Sequence, residues 1–146
     1  MPRNPWLITG GVLSAVAALL HLAIIAGGPD WYRFFGAGER MARMAELGLL
    51  RPALITIGIA AILAVWAAYA FAGAGLIRRL PLMRTALIAV TAIYLLRGLV
   101  PIPLLAFRPA LADAFVLWSS AIVLAYGIAY AAGTRRAWPA LSAKAR

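Results

Sequence analysis

Apolar positions along the chain gather into four long runs, at residues 6–28, 52–77, 82–107 and 113–133, separated by short polar stretches. A helix rises about 1.5 Å per residue and a bilayer's hydrocarbon core is about 30 Å thick, so about 20 apolar residues suffice for one crossing. Each run meets that length and is predicted to form one transmembrane helix. The expected fold class is therefore all-α: an integral membrane four-helix bundle, both termini cytoplasmic, built as a single transmembrane domain over 1–146.

Between the first two runs the pattern changes. In the stretch GGPDWYRFFGAGERMARMAE, apolar Trp31, Phe34, Phe35, Met41, Ala42 and Ala45 recur at three- and four-residue steps, while Arg33, Arg40, Arg43 and Glu46 project elsewhere. That is an amphipathic helical pattern. Glu39 stands four residues before Arg43, and Arg43 three before Glu46, spacings that allow ion pairs along one helix. Gly36 and Gly38 weaken the helix between the aromatic and charged halves, which predicts an aromatic anchor, a break and a short interfacial helix. Two roles fit residues 29–51: a segment floating at the headgroups with its Trp and Tyr in an aromatic belt, or a lid over a polar pocket.

Composition agrees with a lipid solvent: of 146 residues 65% are hydrophobic and 12% charged, and the mean hydropathy is +0.93. A net charge of +10 would suit a nucleic-acid partner, but the basic residues stand at the ends of apolar runs and not along one polar face, so no nucleic acid is expected. They set orientation instead. Arg3, the loop arginines Arg78, Arg79 and Arg84, and the basic tail 134–146 with Arg135, Arg136, Lys144 and Arg146 give one side eight basic residues and no acid. The other side has Arg33, Arg40, Arg43, Arg51 and Arg108 with all four acids, Asp30, Glu39, Glu46 and Asp113. The acid-free side is the cytoplasmic one, which places residues 29–51 in the periplasm. The first run exceeds the ~7–15 residues of a signal-peptide apolar core, so it is expected to remain as a membrane span. Thirteen arginines against one lysine fit a GC-rich bacterial genome, hence the inner (cytoplasmic) membrane. Without cysteine the chain has no disulfide, thiolate metal site or cysteine nucleophile.

Polar residues within the runs supply the candidate chemistry. His21 lies seven residues before Gly28, Ser119 and Ser120 lie six and seven after Asp113, and Thr56 is one turn into the second run. Arg97 precedes Pro101 by four residues in YLLRGLVPIP. Proline has no N–H, so Pro101 and Pro103 leave the carbonyls of Arg97 and Leu99 without their usual helical donors. Arg97 costs about 2.5–3.5 kcal/mol at mid-bilayer and needs a partner, from Asp30, Glu39, Glu46, Asp113 or a bound anion. The candidate ligand-binding set is His21, Trp31, Arg33, Glu39, Glu46, Tyr94, Arg97, Ser119 and Ser120. Each also has a structural reading: His21 as an interhelical hydrogen bonder, Arg97 as a counter-ion, the serines bonded within the bundle, and Tyr94, Tyr126 and Tyr130 as packing. Gly10, Gly11, Ser14, Gly73 and Gly75 suit close helix packing. No phosphate loop, Ser-His-Asp order or metal-spaced cluster is present, so no metal is expected and no cofactor can be named.

The motifs WYRFFGAGE, GAGLIRRLPLMR and YLLRGLVPIP resemble those of a group of uncharacterised small four-span bacterial inner-membrane proteins, and the size and helix count are similar to DoxX-like proteins. The resemblance implies an inner-membrane location and four helices, and supplies no catalytic residues.

The leading expectation is a membrane protein that binds an anionic amphiphile or other small ligand in an outward-facing polar pocket. Arg97 would hold the charge, His21 and the serines would orient the ligand, and the aromatic segment would gate access. A membrane-embedded acid/base enzyme using His21 with Glu39 or Glu46 is an alternative, since these residue types suit proton transfer near neutrality. An accessory subunit of a larger membrane complex is a third. The expected partners are membrane lipids and a small amphiphile; a homo-oligomer would supply the symmetry that a transporter needs and one chain lacks.

Overall fold

The structure, a computed structural model, describes residues 3–142; Lys144 and Arg146, which enter the charge count above, lie outside them. It is all-α, with no strand among the described residues. In chain order the helices are α1 (Pro5–Gly27), α2 (Pro29–Phe34), α3 (Glu39–Glu46), α4 (Arg51–Gly73), α5 (Met83–Leu99), α6 (Pro101–Phe107) and α7 (Ala114–Ser142), with a 3₁₀ turn at Pro109–Leu111 before α7. Four segments are long and apolar enough to cross a membrane: Pro5–Gly27, Arg51–Gly73, Met83–Phe107 and Ala114–Ser142. This is a multi-pass membrane protein by length and composition.

Helix ends follow local chemistry. Gly36 (φ 73°) and Gly38 (φ 91°) take left-handed or related positive-φ backbone between α2 and α3, which is the expected break. Gly75 (φ 77°) stops α4 four residues short of the 77 expected from hydropathy, and Leu76 N–H turns back to the Phe71 carbonyl at 2.9 Å. Apolar Leu76 and Ile77 extend the hydrophobic run beyond the helix because hydropathy does not register backbone handedness. Asp113 caps α7, its Oδ1 accepting from Val116 N–H at 2.8 Å.

The fourth helix runs on past the apolar stretch. The described part of the basic segment 134–146 is helical: α7 continues through Arg135 and Arg136 to Ser142. Its extra turns bury Ala137 and Leu141 on one face while the arginines stay exposed, so an amphipathic stripe carries the helix past the apolar run. Pro139 removes one N–H donor without ending the helix.

By packing, the described chain falls into two compact units, and α1 and α4 contribute to both. The first takes in the chain up to Leu13 and from Trp66 onward, and so holds segments of all four long helices. Its core is knitted by small residues. Leu7, fully buried, sits against Gly73 and Gly133; Tyr130 covers Gly10, and Phe71 covers Gly11. Tyr130 also donates to the Trp66 carbonyl at 3.1 Å, and Asn4 Nδ2 to the Gly133 carbonyl at 2.7 Å. The second unit, Ser14–Val65, holds α2, α3 and the adjoining parts of α1 and α4. There Ile24, Tyr32 and Ala42 are buried together, with Phe35, Met41 and Ala45 packed around them.

Candidate functional site

In the first unit the site is built on the close approach of α5 and α7. A Cβ placed on Gly98 would lie 2.7 Å from the Leu124 Cα, and one on Gly127 would lie 2.7 Å from the Leu95 side chain. These two contacts fix an antiparallel register in which Ser120 stands about level with Ile102, one turn beyond Arg97. The Arg97 guanidinium leans that way. Its Nη1 donates to Ser120 Oγ at 2.6 Å and its Nη2 to Ser119 Oγ at 3.1 Å. It therefore lies alongside the Pro101–Pro103 interruption. Val100 keeps helical angles between α5 and α6, and α6 opens with a long 3.4 Å bond from Leu104 N–H to the Val100 carbonyl.

The partners of Arg97 are neutral. Ser120 is fully buried and Ser119 is neutral as well, and Asp113, the one carboxylate side chain of this unit, serves as the α7 cap. Two hydroxyls thus occupy two of the five guanidinium N–H donors and cancel none of its charge. Among the described residues no carboxylate forms an ion pair with Arg97; the four ion pairs all belong to Arg33 and Arg43. Tyr94, also in the candidate set, is buried in an aromatic cluster with Trp66 at 5.0 Å, Tyr130 at 5.3 Å and Tyr126 at 5.5 Å. Its place is in the packing of the unit.

The other five candidates belong to the second unit. Arg33 is the hub of the α2–α3 hairpin: Nε and Nη2 grip Glu39 at 2.9 and 3.0 Å, Nη2 reaches Glu46 at 2.6 Å, and Nη1 reaches Asp30 at 3.3 Å. Arg43 Nε adds a bond to Glu39 at 3.1 Å, the expected four-residue pair. The expected Arg43–Glu46 pair is replaced by Arg33–Glu46, because the fold of the glycine break swings α2 back over α3. The double grip of Arg33 and Arg43 holds the Glu39 carboxyl down to about 2, and the bonds to Glu39 and Glu46 raise Arg33 above its ordinary range. A carboxylate that acidic is a poor proton donor or acceptor near neutral pH. Trp31 lies on the Gly27 backbone and stacks toward Phe35 at 5.7 Å. His21 Nδ1 lies 2.7 Å from the Ala17 carbonyl of its own helix; an oxygen of that kind only accepts, so Nδ1 carries the proton and Nε2 remains as the other ring nitrogen. Thr56 donates to the Pro52 carbonyl at 2.8 Å and lies 3.4 Å from the Tyr32 phenol.

Of the nine candidates, then, the structure joins Arg97, Ser119 and Ser120 in one cluster and Arg33, Glu39 and Glu46 in another. Gly98 and Gly127, which bring α5 and α7 together beside Arg97, are the residues that sequence reasoning missed. Their signal was a small residue next to a membrane arginine and a second on the helix bearing its serine partners. Comparison with family models, with curated proteins and with solved structures gives no match to this chain.

Proposed function

We propose that the protein is a bacterial inner-membrane protein, both termini cytoplasmic, that binds an anionic amphiphile at the Arg97–Ser119–Ser120 cluster. The observation that carries this reading is the composition of the cluster: a guanidinium within a membrane span whose partners are two neutral hydroxyls. An uncompensated cation among apolar helices is costly, and a carboxylate, phosphate or sulfonate headgroup offsets that cost by accepting the remaining guanidinium N–H bonds. The flanking proline interruption widens the opportunity, since the carbonyls stripped of donors there are tolerated only against protein, water or a polar ligand group. An amphiphile fits better than a water-soluble anion because Leu96, Leu99 and Ile102, near the arginine in the same span, expose apolar surface.

In this reading Arg97 binds the negative charge, and the serines fix the guanidinium so that its free edge is presented in one orientation. The α2–α3 hairpin remains an interfacial segment after the first span. Arg33 and Arg43 offset Glu39 and Glu46, and none of them is needed for the ligand. The test is purification in a mild detergent followed by native mass spectrometry. The wild-type protein is expected to hold at least one more anionic amphiphile per chain than Arg97→Gln; equal numbers on both overturn the reading.

A further inference from the structure

At the opposite reach of the first unit, where the α4–α5 loop meets the start of α1 and the end of α7, a cavity of about 790 Å³ is lined by Arg3, Arg79 and Arg136. No acidic side chain lines it. The chain's four acids all belong to other segments, at positions 30, 39, 46 and 113. We infer that this cavity is a second anion site, separate from Arg97, and that it takes a phosphate group, presented by the headgroup of an anionic phospholipid.

The three arginines come from three different places in the chain, and their convergence exceeds what orientation in the membrane requires. A basic residue that only sets topology has to lie on the correct side; it need not face a shared hollow. Arg78 and Arg84 show the contrast: neither lines this cavity, and Arg84 packs over the Trp138 ring at 4.4 Å and bonds Ser142. The cavity walls are pinned. Asn4 ties the start of α1 to α7 through the Gly133 carbonyl, and Arg79 Nη2 donates to the Leu141 carbonyl at 2.6 Å, which fixes the direction of its fork. The carbonyl end of α7 takes up one edge of the Arg79 fork.

Like charges held around one hollow at a low-dielectric boundary repel one another, and a group with two or more oxygens relieves that repulsion while matching the planar forks. Phosphate does both. Apart from Asn4, the remaining side chains of the described lining, Ala72, Ile77, Ala137 and Ala140 among them, are apolar, which favours a headgroup with its glycerol and chains attached over free phosphate. Basic recesses between membrane helices are where such headgroups are held.

The test uses the full chain in nanodiscs. Retained lipid is counted by native mass spectrometry in neutral phosphatidylcholine doped with phosphatidylglycerol or cardiolipin, for the wild type, for Arg3→Gln with Arg136→Gln, and for Arg78→Gln with Arg135→Gln. All three are compared in the Arg97→Gln background, so that lipid held at Arg97 does not enter the count: the first pair is expected to weaken anionic-lipid retention about tenfold or more, and the second, which removes equal charge outside the cavity, to leave it unchanged. Melting in neutral lipid checks that both variants fold alike. Equal loss in the two pairs, or no bound anionic lipid in the wild type, overturns the inference. Displacement of the lipid by inorganic pyrophosphate would show that the site also takes soluble phosphate; undiminished retention would assign it to lipid. Arg97→Gln leaves the occupancy of this site intact, so its failure and that of the Arg97 reading are distinguishable.

Discussion

Arg97 of α5 donates from Nη1 to the hydroxyl of Ser120 in α7 at 2.6 Å, and that hydroxyl has no exposed surface. The arginine is thus tethered to the interior of the helix pair while its own side remains exposed. Replacing Ser120 by Ala leaves one guanidinium donor without its partner and is expected to destabilise the protein by about 0.5–1.5 kcal/mol. Ser119→Ala, which removes the longer 3.1 Å bond at a more exposed position, is expected to cost less. Equilibrium unfolding of both variants in mixed micelles measures the order; equal effects would contradict the asymmetric tether.

Close packing at Gly98 makes a steric prediction. Gly98→Ala puts a methyl 2.7 Å from the Leu124 Cα, a backbone atom that cannot turn aside, so α5 and α7 must separate. A loss of about 1–3 kcal/mol is expected. Gly58→Ala in α4 is the control, since nothing lies within 4 Å of its added Cβ. There the change from Gly to a better helix former is expected to be neutral or to stabilise by up to about 1 kcal/mol. Melting temperatures of the two variants in one detergent decide the point.

The Glu39 carboxyl sits at about 2 in place of its ordinary 4.5. Since the folded value lies below the unfolded one, the linked stabilisation of the α2–α3 hairpin is complete above about pH 4.5 and disappears as pH falls toward 2. Amide exchange in residues 39–46, corrected for intrinsic rates, is expected to show falling protection across that window. Glu39→Gln should exchange faster at pH 6 and lose the pH dependence between the two limits; an unaltered profile would mean that Arg33 does not hold the hairpin through Glu39.

Orientation is open to direct labelling because the chain has no cysteine. Ala37→Cys, in the exposed break between α2 and α3, is expected to react with a membrane-impermeant maleimide added outside spheroplasts, whereas Ile77→Cys in the α4–α5 loop is expected to react only after lysis. The reverse pattern would place the termini in the periplasm and the three-arginine cavity with them.

Hydropathy, glycine and proline positions and charge are properties of short windows, and they made the four spans, the α2–α3 break and the amphipathic α3 legible from the sequence. The same windows do not give the ends of α4 and α7, which backbone handedness at Gly75 and the burial of Ala137 and Leu141 set apart from hydropathy. They also pointed to Arg97 with Ser119 and Ser120, because polar atoms stand out in an apolar run. What they could not assign was which charge meets which. Glu39 and Glu46 were open to Arg43 and Arg97, and the chain reversal at Gly36 and Gly38 brought both to Arg33, with Arg43 sharing Glu39. The register that sets Arg97 against Ser120, and the gathering of Arg3, Arg79 and Arg136 around one hollow, likewise come from the folded chain alone. Hydrogen bonds and charge pairs are decided over a few ångströms, and separation along the sequence does not specify distance at that scale once helices pack against one another.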